Sequence, residues 1–155
     1  MIASANLPSR YISVNIRRGD KNTEFNFTPI SRYIDEAVNR SDLKDIFVLT
    51  DDYTVIEELQ TTYPNIHFYT LVNKEERGYV HADFIKLSAA KKKEDMIKLF
   101  SSIEIMRASE LSIGAYTTNP GIFLGMTMPE DKFISMQRTS WYQFDRDDVI
   151  DDMVK

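Results

Sequence analysis

The sequence predicts an α/β domain: a mainly parallel sheet of about five strands with helices on both faces. Three observations carry this. Short runs rich in β-branched and aromatic residues alternate with segments whose apolar residues recur at helical spacing. The apolar runs are nearly continuous, as strands covered on both sides require, and the connections are mostly short. The 155 residues include no cysteine. A chain of this length can bury roughly two thirds of its unfolded surface, so its core needs neither disulfide nor thiolate-bound zinc.

The first and central strand is Arg10 to Ile16, a buried run interrupted only by small or polar residues. It ends in Arg17-Arg18-Gly19-Asp20-Lys21, a polar loop whose glycine can take a positive φ. Thr28-Pro29 reads as a helix cap followed by proline at the first helical position, with Ile30, Tyr33, Ile34, Ala37 and Val38 on one face. Lys44 to Thr50 is a second strand. Asp51-Asp52 behind it can cap a helix carrying Val55, Ile56, Leu59 and Tyr63, which Pro64 stops. Ile66 to Thr70 is a third strand. Asn73 to Lys93 shows no clear period, and its Gly78, its charges and the run Lys91-Lys92-Lys93 read as a mobile loop. A long helix resumes at Glu94 with Met96, Leu99, Phe100, Ile103 and Met106 on one face. Glu110 to Tyr116 is a fourth strand, and Thr117-Thr118-Asn119-Pro120-Gly121 repeats the cap-then-proline start before Ile122, Phe123, Leu124 and Met126. Lys132 to Met136 is a short fifth strand. Residues 1–137 thus form one domain, with the acidic segment 138–155, which holds Trp141, Tyr142 and Phe144, peripheral to it.

Asp and Glu number 24 against 19 Lys and Arg, a formal net charge of -5. That balance opposes binding to nucleic acid or to an anionic membrane surface and leaves room for a local site that takes a small anion. No apolar run approaches the roughly 20 residues of a membrane span, and the first residues lack the features of a signal peptide. The expectation is an untargeted, cytoplasmic chain.

Doubly wound sheets bind ligands beyond the C-terminal ends of their strands. Three polar clusters fall there: Arg17 to Glu24, Thr50 to Asp52, and Tyr116 to Asn119. Adjacent arginines repel each other and gain most when a multiply charged anion such as diphosphate bridges them. Alternatively they are solvated and pair with Asp20 and Glu24. Thr117, Thr118 and Asn119 offer hydroxyls and backbone N–H groups at a helix N-terminus, suited either to phosphate or to capping alone. Asp51 and Asp52 either cap the second helix or accept hydrogen bonds from a nucleobase or ribose. His67 and His81 lack partners at metal-ligand spacing, and no metal site is expected. Walker, GxGxxG, GxSxG and HExxH motifs are absent, which removes the usual sequence support for P-loop hydrolases, dinucleotide oxidoreductases, serine hydrolases and zincins.

The stretch Asn15-Ile16-Arg17-Arg18-Gly19-Asp20-Lys21, with Glu24 shortly after, resembles the H-[VI]-R-R-x-D motif of fucosyltransferases of the α-1,6 and α-1,2 groups. Phe27-Thr28-Pro29-Ile30 with Tyr33 is similar to the helix that follows it. Phe47-Val48-Leu49-Thr50-Asp51-Asp52 is similar to their strand ending in T/S-D-D, and Tyr63-Pro64-Asn65 to their K-Y-P-N stretch. Ala108-Ser109-Glu110 through Thr117-Thr118-Asn119 sits where the family carries a strand followed by F-S-S-Q or S-T-F. The resemblance covers most of residues 10 to 126, and the first motif is its specific part. Asn15 stands where the motif has His, and the loop from Lys21 to Glu24 is one residue shorter than the α-1,6 pattern.

The resemblance implies the Rossmann-like, C-terminal donor half of a GT-B glycosyltransferase that binds GDP-fucose, inverts the sugar and needs no metal or other cofactor. Arg17 would contact the β-phosphate, with Arg18 supporting the loop or the donor. Asp51 or Asp52 would read guanine, Thr118 and Asn119 would hold phosphate, and Glu24 would be the base. Asn15, Asp20 and Thr117 complete the expected donor-binding set. The acceptor half would come from a missing N-terminal domain or a partner chain, so binding in this chain should outlast sugar transfer. The alternative is a non-catalytic module that binds a nucleotide or glycan or assembles with a partner. A small response-regulator-like domain would want an acidic pair near the first strand, which the two arginines oppose.

Overall fold

The computed structural model describes residues 6–20 and 28–136. In chain order these hold β1 (Ile12–Ile16), α1 (Ile30–Arg40), β2 (Asp45–Thr50), α2 (Thr54–Thr62), β3 (His67–Tyr69), α3 (His81–Phe84), α4 (Ala89–Ala108), β4 (Leu111–Gly114), α5 (Asn119–Thr127), a 3-10 turn (Glu130–Lys132) and β5 (Phe133–Ser135). The strands form one sheet in the order β3-β2-β1-β4-β5. Every pairing is parallel, with Val14 opposite Val48 on one side and Ile113 on the other. This is the expected Rossmann-like α/β fold.

The pleat of β1 divides the core. Ile12, Val14 and Ile16 are fully buried and pack with Tyr33, Ile34 and Ala37 of α1 and with Val55, Ile56 and Leu59 of α2. On the opposite face, Tyr11, Phe47 and Leu49 pack with Ile103, Ile105 and Met106 of α4 and Leu124 of α5. Each core is therefore contributed by both sheet and helix. Buried polar groups of β1 and of Tyr11 before it are matched on the α4 side. Ser13 Oγ lies 2.8 Å from Ser109 Oγ, and Tyr11 donates its hydroxyl to Ile105 O at 2.8 Å.

Several elements differ from the sequence expectation. Pro29 itself is the N-cap of α1, with no side-chain cap bond. Phe100, expected on the buried face of α4, is 62% exposed, and Phe123 and Met126 of α5 are also exposed. The helix expected from Glu94 begins at Ala89, because Ser88 caps it by accepting the Lys91 N–H at 3.2 Å. The stretch expected as a mobile loop is tied down over its middle. Tyr53 N–H donates to Glu76 O at 2.9 Å and Gly78 N–H to Asp51 O at 2.9 Å, with Asp52 and Arg77 in an antiparallel bridge. Residues 76–84 thus form a strap across the C-terminal end of the sheet. The expected acidic segment 138–155 and the Lys21 to Glu24 part of the arginine loop lie outside the described residues.

The strap crosses the arginine loop where two glycines meet. Gly19 has φ +41° and Gly78 φ +93°. A Cβ on Gly78 would lie 2.9 Å from Gly19 Cα, and one on Gly19 would lie 2.5 Å from Asp51 Oδ2 and 2.8 Å from Tyr79 N. Among the described residues no helix is long and apolar enough to cross a membrane.

Gly19→Ala is expected to destabilise the fold by more than the roughly 1–2 kcal/mol of a left-handed non-glycine residue, since backbone atoms of the strap block the methyl group. Urea denaturation measures this, and a loss under 0.5 kcal/mol would show that the strap can move aside.

Candidate functional site

The strand order reverses between β1 and β4, and loops leaving those strands part to opposite faces, so a crevice opens above them. Here it is a cleft of about 660 Å³. Asn15, Arg17 and Asp20 of β1 and its loop, Thr50 and Asp51 after β2, and Thr118, Asn119 and Pro120 at the start of α5 form its floor. The strap with Tyr79, His81 and Phe84, and α4 with Met96, Lys98 and Leu99, form its walls. The structure thus brings together Asn15, Arg17, Asp20, Asp51, Thr118 and Asn119 from the three clusters singled out in the sequence. Arg18, Asp52 and Thr117 do not line the cleft, and Glu24 lies outside the described residues.

Asp51 organises the floor. Its Oδ1 accepts the Arg18 backbone N–H at 2.8 Å, and its Oδ2 accepts the Tyr79 N–H at 3.0 Å. Arg17 Nε stands 3.1 Å from the same Oδ2 as an ion pair. Both carboxylate oxygens are therefore engaged by the chain itself, which makes Asp51 a clamp between loops. Asp52 precedes Tyr53, the N-cap of α2. Its Oδ1 accepts from the Thr54 N–H at 2.9 Å and from the Thr54 hydroxyl at 2.8 Å, anchoring the first turn of α2.

Arg17 is three-quarters buried and sits among partners on several sides. Its Nη2 is 3.3 Å from Asp20 Oδ1, and its guanidinium carbon lies 4.8 Å from the centre of the Tyr79 ring, a cation–π distance. Nε, although close to Asp51, is buried without an acceptor aligned on its hydrogen. Asp20 in turn accepts the His81 N–H through Oδ2 at 3.0 Å, and its own N–H donates to Tyr79 O at 3.0 Å. The pairing of an arginine with Asp20, one of the two alternatives open in the sequence, is realised for Arg17. Arg18 does not line the cleft, and its charge offsets part of the rise that burial imposes on the Tyr33 phenol.

At the other lip, Thr118 Oγ1 donates to Ala115 O at 3.1 Å and accepts from Asn15 Nδ2 at 2.9 Å and Gly121 N–H at 3.1 Å. A hydroxyl has one donor and two acceptor positions, so this one is saturated. It caps α5 and bolts β1 to β4 across the switch point. Pro120 has no N–H and the Gly121 N–H is taken, which leaves exposed Asn119 as the residue of this turn able to meet a ligand.

Among the lining residues three are cationic, Arg17, Arg77 and Lys98, against five carboxylates, Asp20, Asp51, Glu76, Asp83 and Asp95. Several of these charges are paired. Lys98 of α4 reaches Glu76 of the strap, which holds the wall to the strap. Among the described residues no group of three His, Asp or Glu side chains is placed to hold a metal ion.

Sequence reasoning missed the strap side of the site. Tyr79, whose ring packs at 5.5 Å from that of Phe84 and whose hydroxyl lies 3.0 Å from His81 Nδ1, comes from a stretch with no period. Gly78 was its one usable signal, since a glycine amid charges marks a place where backbones approach closely. No family model matches the sequence, and no curated protein matches it.

Thr118→Val should cost about 1–2 kcal/mol, because it removes the cap and leaves the buried Asn15 amide without its acceptor. Thr118→Ser should recover most of that. Thermal unfolding of the two variants reads the difference, and a Thr118→Val loss under about 0.5 kcal/mol would show that the hydroxyl's three bonds contribute little.

Proposed function

We propose that this chain is the donor-binding domain of an inverting, metal-independent, fucosyltransferase-like glycosyltransferase, taking GDP-fucose as the nucleotide sugar, with the acceptor wall supplied by another domain or chain. The observation that carries the reading is Arg17. It stands at the C-terminal end of the central strand, on the floor of a switch-point cleft, which is where a doubly wound sheet presents groups to a dinucleotide or nucleotide sugar. A cleft of about 660 Å³ lies within the roughly 300–1,000 Å³ of small-molecule sites.

In this reading Arg17 meets the diphosphate and Asn119 approaches it from the lip of α5. As the bond between the sugar and the diphosphate breaks, negative charge grows on the departing GDP, and a guanidinium already held by Asp51 and Tyr79 stabilises it without reorganising. The acceptor hydroxyl loses its proton to a base, the role the resemblance gives to Glu24. Asp51 and Thr118 hold the floor in shape and leave recognition of the base to other groups.

A second reading is a non-catalytic module for a neutral glycan. The excess of carboxylates over cations in the cleft lining favours it, because carboxylates beside an aromatic pair such as Tyr79 and Phe84 suit sugar hydroxyls and apolar ring faces better than a free polyanion.

Calorimetric titration with GDP, GDP-fucose, UDP-sugars and ADP separates these readings, with the strongest heat expected from the guanine nucleotides. Arg17→Ala is expected to weaken GDP by about 1.5–3 kcal/mol, the range for charge-assisted bonds, while barely changing guanosine. Equal losses would make Arg17 a structural residue.

Donor binding is expected to survive EDTA, since Arg17, with Asn119 beside it at the start of α5, can meet the diphosphate without a cation. A strict Mg²⁺ requirement, read in the same titration, would turn the carboxylates of Asp20 and Asp51 into ligand candidates and overturn the metal-independent reading.

A further inference from the structure

We propose that Asp20 is an internal anion that a diphosphate displaces from Arg17, so that occupation of the cleft loosens the strap at His81. The inference rests on reading the cleft as a nucleotide-sugar site and adds a device to it.

Among the described residues Arg17 has two acidic neighbours of unequal standing. Asp51 is the inner one: its side chain is only 13% exposed, and it is fixed by two backbone N–H donors, from Arg18 and Tyr79. Asp20 is the outer one. It is 33% exposed, and its Oδ1 stands 3.3 Å from Arg17 Nη2, beyond the usual span of a charge-assisted bond. Ion pairs with this much solvent around them are worth little, so a ligand that brings two phosphates to the guanidinium can replace this carboxylate while Asp51 stays in place.

Displacement has a structural consequence because Asp20 uses both oxygens. Oδ2 accepts the His81 N–H at 3.0 Å. His81 opens α3, where a backbone N–H has no acceptor within its own helix. When the carboxylate swings out, that N–H loses its partner. The strap remains tied at Gly78 and Tyr79, whose N–H groups both bond to Asp51. The segment beyond them, with His81 and Phe84 on the cleft wall, is then free to adjust to what enters. Arg17 thereby links charge recognition on the floor to the position of the wall.

The experiment uses inorganic pyrophosphate as probe on the full chain. Calorimetry is run on the wild type, Asp20→Asn, Arg17→Ala and the double variant. In parallel, amide hydrogen exchange at His81 is followed in the wild type with and without saturating pyrophosphate. Asparagine keeps an oxygen for the His81 N–H and removes the charge that competes at Arg17. Asp20→Asn should bind pyrophosphate about three- to tenfold more tightly, in line with the modest strength of such pairs. That gain should vanish in the Arg17→Ala background, and the His81 amide should exchange faster in the bound wild type. If the wild type binds and Asp20→Asn binds equally or less well, the displacement is wrong and the anion site stands. If His81 is unchanged or better protected on saturation, the coupling to the strap is wrong, whatever the variants do. If neither the wild type nor Asp20→Asn binds pyrophosphate, the anion site and this inference fall together.

Discussion

The Asp51 carboxylate is the constraint on which the arrangement of the cleft depends. It projects from the end of β2, yet what it holds comes from elsewhere: the backbone of Arg18 after β1, the side chain of Arg17, and the backbone of Tyr79 nearly thirty positions along the chain. Hydrogen bonds to a charged acceptor contribute about 1.5–3 kcal/mol each when they form in a largely dry setting, so one side chain sets the path of two loops. The close approach of those loops requires the two positive-φ glycines at their crossing. Asp51, Gly19 and Gly78 are thus one feature seen from three segments.

Thr118 performs the matching task across the switch point. Its saturated hydroxyl joins Asn15 on β1 to the first turn of α5. The strand order reverses between β1 and β4, and no crossover connects those neighbours directly on that edge. A polar bolt there keeps the lips of the cleft at a fixed separation, which a ligand spanning them needs. The polar groups near the crevice therefore divide into those that shape it, Asp51, Thr118 and Asn15, and those with capacity left for a ligand, Arg17 and Asn119.

Most of the fold was legible because its signals are local. The continuous apolar runs around Val14, Val48 and Ile113, the Asp51-Asp52 break before α2 and the Thr118-Asn119-Pro120 start of α5 each depend on neighbours a few positions away, and each lies where the pattern indicated. Periodicity also misled. Phe100 falls three residues before Ile103 and is nevertheless exposed, because the face that α4 buries is centred on Ser102, Ile105 and Met106 and Phe100 stands well round the helix from it. The strap was illegible for a different reason. Its backbone is satisfied by Asp51, Asp20 and Tyr53, partners that no window of consecutive residues contains. The candidate site was half legible for the same cause: its floor comes from strand ends, its wall from the strap.

The charge balance of the cleft follows from this division of labour. A carboxylate is the side chain best able to gather several backbone N–H groups, and a loop-built wall has many N–H groups that no strand or helix accepts. Fastening the strap with Asp51 and Asp20 therefore fills the cleft with negative charge as a by-product. The same charge that shapes the site opposes an anion entering it. Arg17 is the point at which the conflict is settled, since it neutralises the fastening carboxylates when the cleft is empty and is the strongest anion-binding group on its floor. The attraction of two carboxylates offsets part of the desolvation that a three-quarters-buried guanidinium pays, which is how the fold keeps a cation in place there. The resulting site is preorganised in geometry but partly self-neutralised in charge. Under the proposed nucleotide-sugar reading, such a site discriminates against weakly charged anions that cannot outcompete its own carboxylates and favours a ligand that brings enough negative charge to Arg17 to make the exchange favourable.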